Sequence, residues 1–75
     1  MNDEQVLAIA TILWNNYSQH DRNYHAVKNE VNDGSKDWEA FHYTRVTNAL
    51  FQKEYAFGLS QAFKEAHRDM FERMM

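Results

Sequence analysis

The chain has no cysteine and no proline, and only two glycines, Gly34 and Gly58, in 75 residues. Without cysteine it forms no disulfide, no thiolate metal site and no cysteine nucleophile. Without proline, and with so little glycine, it lacks the punctuation of a turn-rich β fold, whereas helix interiors tolerate such a composition. Charge of one sign is scarce as well. The net charge is −3, and acids exceed bases only within residues 1–35, where Asp3, Glu4, Asp21, Glu30 and Asp33 face Arg22 and Lys28. Neither half is a basic footprint, so direct binding to nucleic acid is not expected. Most acids have a basic neighbour, which argues against a DNA mimic. No long hydrophobic run is present: the longest, from Val6 to Trp14, is interrupted by Thr11 and is too short to cross a bilayer. The start, Met1-Asn2-Asp3-Glu4, is acidic where a secretory signal needs a basic segment. These absences lead to the expectation of a cytoplasmic protein with no membrane partner.

What the chain does have is aromatic side chains: two Trp, four Tyr and five Phe. A chain of this length makes one domain, residues 1–75, and buries only about 60–65% of the surface of its unfolded form. Small domains compensate with staples, dense packing or association. Large aromatic side chains serve dense packing and association alike.

Apolar spacing predicts an all-α fold, a bundle of three to four helices over about 3–17, 19–32, 36–57 and 60–74. The first helix starts at Asn2 or Asp3, with acids in its first turn. Val6, Ala10, Leu13 and Tyr17 recur at helical spacing, and His20, Tyr24, Val27 and Val31 continue the same register. Ser18-x-x-Asp21 resembles a capping box, so the first two segments are either separate helices or one bent helix. Asn32-Asp33-Gly34-Ser35 is the clearest break, with Gly34 ending one helix in the left-handed conformation and Ser35 capping the next. Trp38, His42, Val46, Ala49, Leu50, Ala56 and Phe57 then share a face, while Phe51 and Tyr55 fall opposite. Gly58 and Ser60 suggest a kink or cap. Leu59, Ala62, Phe63, Ala66, Met70 and Met74 form the last stripe, with Phe71 beside it.

Motifs that carry chemistry are few. Glu39-Ala-Phe-His42 has the Glu-x-x-His spacing that sets two metal ligands on adjacent turns, but di-iron bundles need two such motifs and two further glutamates. Asp21 and His25 offer a second pair of similar geometry. The simpler reading makes His42 a partly buried histidine on a core-facing stripe, so Glu39 and His42 stand as metal candidates only and no cofactor is expected. Ser18, Ser35 and Ser60 sit where helix caps belong, and no glycine-flanked elbow surrounds them. Neither glycine opens a phosphate-binding loop. No enzyme activity is expected.

The aromatic and apolar side chains off the main stripes are the better signal. Phe51 and Tyr55 cannot enter the same core as Val46 and Leu50 unless the terminal helix folds back over them. Ile12, Phe71 and Met75 are similar leftovers. An apolar patch of this kind marks a contact site. The primary expectation is a protein-binding module without chemistry of its own, docking on a larger protein or on itself through Phe51, Tyr55, Ile12, Phe71 and Met75. In size and absence of motifs it is similar to small phage or mobile-element proteins that block a host machine, including anti-CRISPR inhibitors. The alternatives are a structural homo-oligomer with a shared aromatic core and a helical metal-binding domain.

Overall fold

A computed structural model describes residues 1–74, which form three α-helices and, among the described residues, no strand. Helix α1 spans Asp3–Lys28, α2 spans Trp38–Ala66 and α3 spans Arg68–Arg73.

The start of α1 is set by a capping box. The Asn2 side-chain oxygen accepts from the Gln5 backbone N–H at 2.8 Å, and the Asn2 N–H donates to Gln5 Oε1 at 3.0 Å. Asp3 and Glu4 in the first turn face the positive end of the helix dipole. The helix then runs without a break through Ser18, so the two segments expected over 3–17 and 19–32 are one. Asp21 does not cap a new helix: its carboxylate lies 3.1 Å from the Lys53 ammonium on α2 and 3.4 Å from His25 Nε2. The helix ends at Lys28 rather than at residue 32, and Val31 lies 86% exposed in the connection.

The connection is a pair of side-chain turns. The Gly34 N–H donates to Asn32 Oδ1 and the Ser35 N–H to Asp33 Oδ1, each at 2.8 Å. Hydrogen bonds from the Ser35 hydroxyl and backbone hold the Asp33 carboxyl below the usual carboxylate range. Gly34 has a φ of +85°, as expected for its residue type, but in mid-loop and not at a helix end. Ser35 does not cap α2 with its side chain. The residue before the helix is Asp37, and the Trp38 N–H reaches back to the Ser35 carbonyl at 3.2 Å.

Helix α2 passes straight through Gly58 and Ser60, where a kink or cap was expected. A single mid-helix glycine costs about 1 kcal/mol, and the seam runs through this stretch without interruption, with Ala56 and Ser60 both buried on the inner face. The break comes later, at His67, whose N–H is shared between the Phe63 and Lys64 carbonyls at 3.2 Å each. Helix α3 then continues along the hairpin.

The two long helices pack antiparallel along one seam. Its α1 side is Val6, Ala10, Leu13, Tyr17, His20, Tyr24 and Val27; the opposing side is His42, Val46, Ala49, Lys53, Ala56, Ser60, Phe63, His67 and Met70. Steps of four and three alternate throughout, the repeat of a coiled coil, and every one of these residues is buried or half-buried. Small side chains at Ala10, Ala49, Ala56 and Ser60 let the helices approach closely. Ion pairs mark the register from open end to loop: Asp3–Arg73 at 3.6 Å, Asp21–Lys53 at 3.1 Å and Glu30–Arg45 at 2.7 Å. Among the described residues of the seam, Lys53 is the one lysine or arginine. It also lies 4.8 Å from the Tyr24 ring centre. Its contact with the Asp21 carboxylate raises its pKa above the usual lysine range, against the opposing effect of desolvation.

Two outcomes test this account. Gly34→Ala meets no steric obstacle but does meet an unfavourable backbone angle, so it should destabilise by about 1 kcal/mol in a thermal melt. An unchanged melting temperature would place the strain elsewhere. Because the folded Lys53 pKa is raised, the stability it contributes is complete below the ordinary lysine value, about 10.4, and is lost as pH rises through the folded value. Asp21→Asn should move the Lys53 titration, followed by side-chain NMR, down toward the ordinary value.

Candidate protein-docking surfaces

A two-helix seam leaves most of each helix uncovered. Among the described residues the buried apolar side chains are Val6, Ala49, Ala56 and Met70, all on the seam. Two groups of large apolar residues outside it are set apart by position, while Phe41 and Tyr43 near the loop are 63% and 73% exposed.

One group sits directly beside the seam. Leu7 and Trp14 follow the α1 seam at one residue's offset and are spaced by seven; Tyr43, Leu50 and Phe57 do the same on α2. In an antiparallel pair these two flanks fall on the same side of the hairpin. Leu7, Trp14, Leu50 and Phe57 are 42%, 47%, 37% and 40% exposed, each partly covered by the partner helix. The aromatic rings connect across the pair: Trp14 to Tyr17 at 5.1 Å between centroids, and Tyr17 to Phe57 at 5.2 Å. Toward the open end this side forms a groove of about 230 Å³ lined by Ala10, Thr11, Trp14, Ser60, Lys64 and Phe71. The opposite flank is more polar, with Asn16, Asn23, Arg45 and Gln52 interrupting Ile9 and Leu59.

The second group points outward. Phe51 is 67% exposed, Tyr55 70% and Ile12 65%. Phe51 and Tyr55 lie on adjacent turns of α2, followed by Gly58 and Ala62 at steps of three and four. A Cβ built on Gly58 meets nothing within 4 Å, so no internal packing requires this glycine. Helix α3 does not fold back over these positions.

The structure therefore separates the residues that the sequence grouped together. Phe51 and Tyr55 are neighbours, and the seam repeat sets Ile12 on the polar-flank side of α1, nearer the open end. Phe71 belongs to the other side, half-buried in the groove with Trp14. Met75 lies outside the described residues. Leu50 and Phe57, expected on the core face, sit at its edge, because the seam repeats every 3.5 residues and a straight 3.6-residue wheel drifts away from it. Leu7 and Trp14, which the sequence sets beside the Val6–Tyr17 stripe, lie at the seam's edge, seven residues apart and one position beyond Val6 and Leu13.

The metal candidates take separate places. His42 is on the seam, stacked on Trp38 with ring centroids 4.3 Å apart, and Glu39 is exposed. His42 Nδ1 is buried without a hydrogen bond, its nearest carboxylate being Glu30 at 3.9 Å. Among the described residues no group of three or more His, Cys, Asp or Glu is placed to hold a metal ion. Asp21 and His25 are in contact, but Lys53 occupies the same carboxylate. No helix of the described residues is long and apolar enough to cross a membrane.

His42 thus acts as a packing residue. His42→Ala should lower the melting temperature through loss of the Trp38 stack, by about 0.5–3 kcal/mol. The loss should be the same with added Zn²⁺ or with a chelator. A metal-dependent rise in wild type that vanishes in the variant would contradict this role. Compared with known proteins, the chain matches no family model, no curated protein and no solved structure.

Proposed function

We propose that this chain is a protein-docking helical hairpin without chemistry of its own, which binds a larger protein through the outward surface of α2 centred on Phe51 and Tyr55. The observation that carries this reading is their position. Both rings are about two-thirds exposed in mid-helix, away from the seam and from its apolar flank. Folding of the hairpin does not use them, and two adjacent large rings held in water mark a contact site. Gly58 beside them supports the same reading: it weakens the helix, yet its bare backbone admits close approach by a partner. Ile12 extends the surface toward the open end. A small surface of this kind acts by occupying a site on its target, as an inhibitor or modulator does, which agrees with the likeness to phage and mobile-element inhibitors in size and lack of motifs.

The test is a double substitution, Phe51→Gln with Tyr55→Gln. The fold should stay within about 0.5 kcal/mol of wild type, as surface changes do. Capture of a specific protein from the native host should fall sharply, since aromatic anchors each contribute about 2 kcal/mol or more when truncated. Gly58→Ala should raise the melting temperature while weakening the same capture. A double variant that unfolds, or that captures the partner as wild type does, would remove the surface from consideration.

A further inference from the structure

The hairpin is too open for a chain of its size. It exposes 5795 Å² of surface, whereas a compact monomer of 9.0 kDa exposes about 4,900 Å². The excess, about 900 Å², matches the roughly 800 Å² that each partner buries in a standard stable interface. The shape agrees. The radius of gyration is 16.9 Å and the extents are 55 × 19 × 14 Å, against a radius of about 11 Å for a compact 75-residue domain. No disulfide and, among the described residues, no metal cluster staples the two helices.

The side-chain pattern shows where the missing layer belongs. Helices buried in a bundle carry apolar residues on the seam positions and on one adjacent flank. Here both helices have that flank, and on the same side: Leu7 and Trp14 from α1, Leu50, Phe57 and Phe71 from the other strand of the hairpin. The opposite flank is mixed, with Asn16, Asn23, Arg45 and Gln52 between Ile9 and Leu59, whereas the apolar run here is interrupted by Asp21, Lys28 and Lys64 and carries the larger side chains.

We infer that this flank is covered by a second copy of the same chain, two hairpins packing face to face into an antiparallel four-helix bundle. The face suits its own copy. It is apolar at the centre, where Trp14, Tyr17 and Phe57 meet, and Lys64 lies to its open-end side while Glu54 lies to its loop side. A two-fold axis across the middle, with the two loops at opposite ends, brings each Lys64 toward the Glu54 of the other copy. An isologous pair of this kind closes on itself and leaves no further face to extend. It also supplies, from two chains, the compact bundle that one hairpin lacks. The inference shares with the preceding section the premise that the chain works by association, but it uses the opposite side, so Phe51 and Tyr55 remain on the outside of the dimer.

The experiment is light scattering coupled to sizing, with thermal melts across about a hundredfold dilution series. Wild type should have twice the 9.0 kDa chain mass, and its melting temperature should fall on dilution because folding and pairing are linked. Phe57→Glu should weaken pairing by about 30-fold or more, the effect of losing a central anchor. The Phe51→Gln/Tyr55→Gln variant should remain dimeric. A wild-type chain that is monomeric, helical and insensitive to dilution would overturn the inference, and it would do so without touching the docking surface on Phe51 and Tyr55. A dimer dispersed by the Phe51/Tyr55 variant but not by Phe57→Glu would also overturn it, by assigning pairing to the other side. Should Phe57→Glu fail to fold, the dilution dependence of wild type still decides whether pairing occurs. A Trp14→Cys variant, the sole thiol in the chain, then locates it: Trp14 lies near the two-fold axis, so oxidation should link two chains, and failure to link would place the interface elsewhere.

Discussion

Everything in this protein depends on one seam with small residues at its centre. Ala10, Ala49, Ala56 and Ser60 bring α1 and α2 close together, and close approach has a consequence for every other side chain. Small seam residues bury little apolar area, and burial contributes only about 25 cal/mol per Å². Leu13, Tyr17, Tyr24, Phe63 and Met70 fill the rest of the seam, and other large side chains, among them Trp14, Leu50 and Phe57, lie on its flank in partial contact with water. A seam built from Leu and Ile would have buried more and left less to explain on the surface.

The polar residues on the seam serve a different purpose. Lys53, with Asp21 and the Tyr24 ring around it, adds little to stability as a half-buried pair, but it discriminates between registers. A slide by one heptad would move Lys53 away from Asp21 and leave an ammonium among apolar neighbours. The pairs at Asp3–Arg73 and Glu30–Arg45 hold the two ends to the same alignment. His42, stacked on Trp38, closes the loop end of the seam with a ring. Register matters because it decides which flanking residues of α1 lie beside which of α2. Tyr17 bridges Trp14 to Phe57, and Trp14 shares a groove with Phe71, in this alignment.

Two apolar surfaces then follow, and they differ in kind. The flank continues the heptad logic of the seam, so its residues look like the interior of a larger bundle. The outward surface around Phe51 and Tyr55 obeys no such repeat and sits beside a glycine that the fold does not use. Residues that extend a core pattern point to assembly, and residues that break it point to recognition. Because the two surfaces lie on different sides, the proposed pairing and the proposed docking do not compete for the same residues.

The helical class, the start of α1 at Asn2, the loop around Gly34 and the placing of Phe51 and Tyr55 on the face opposite Val46 and Ala49 were legible in the sequence. They depend on local chemistry: capping side chains, turn formers, and spacing within a single helix. The exposure of the Phe51 and Tyr55 rings, by contrast, was decided only by where α3 lies. The sequence also contained, at Ser18 and Asp21, a false helix boundary, because a capping box and an interhelical ion pair use the same residue types. It offered a kink at Gly58 because propensity is local and burial of the neighbouring seam is not. Tertiary structure alone decided that α1 is continuous, that the core is a single seam repeating every 3.5 residues, and that Phe71 lies on the side opposite to Ile12 and Tyr55. Those outcomes depend on which helix faces which and in what register. Close packing at Ala49, Ala56 and Ser60 and the ion pairs Asp21–Lys53, Asp3–Arg73 and Glu30–Arg45 make that choice together, a property of the pair that neither helix carries by itself.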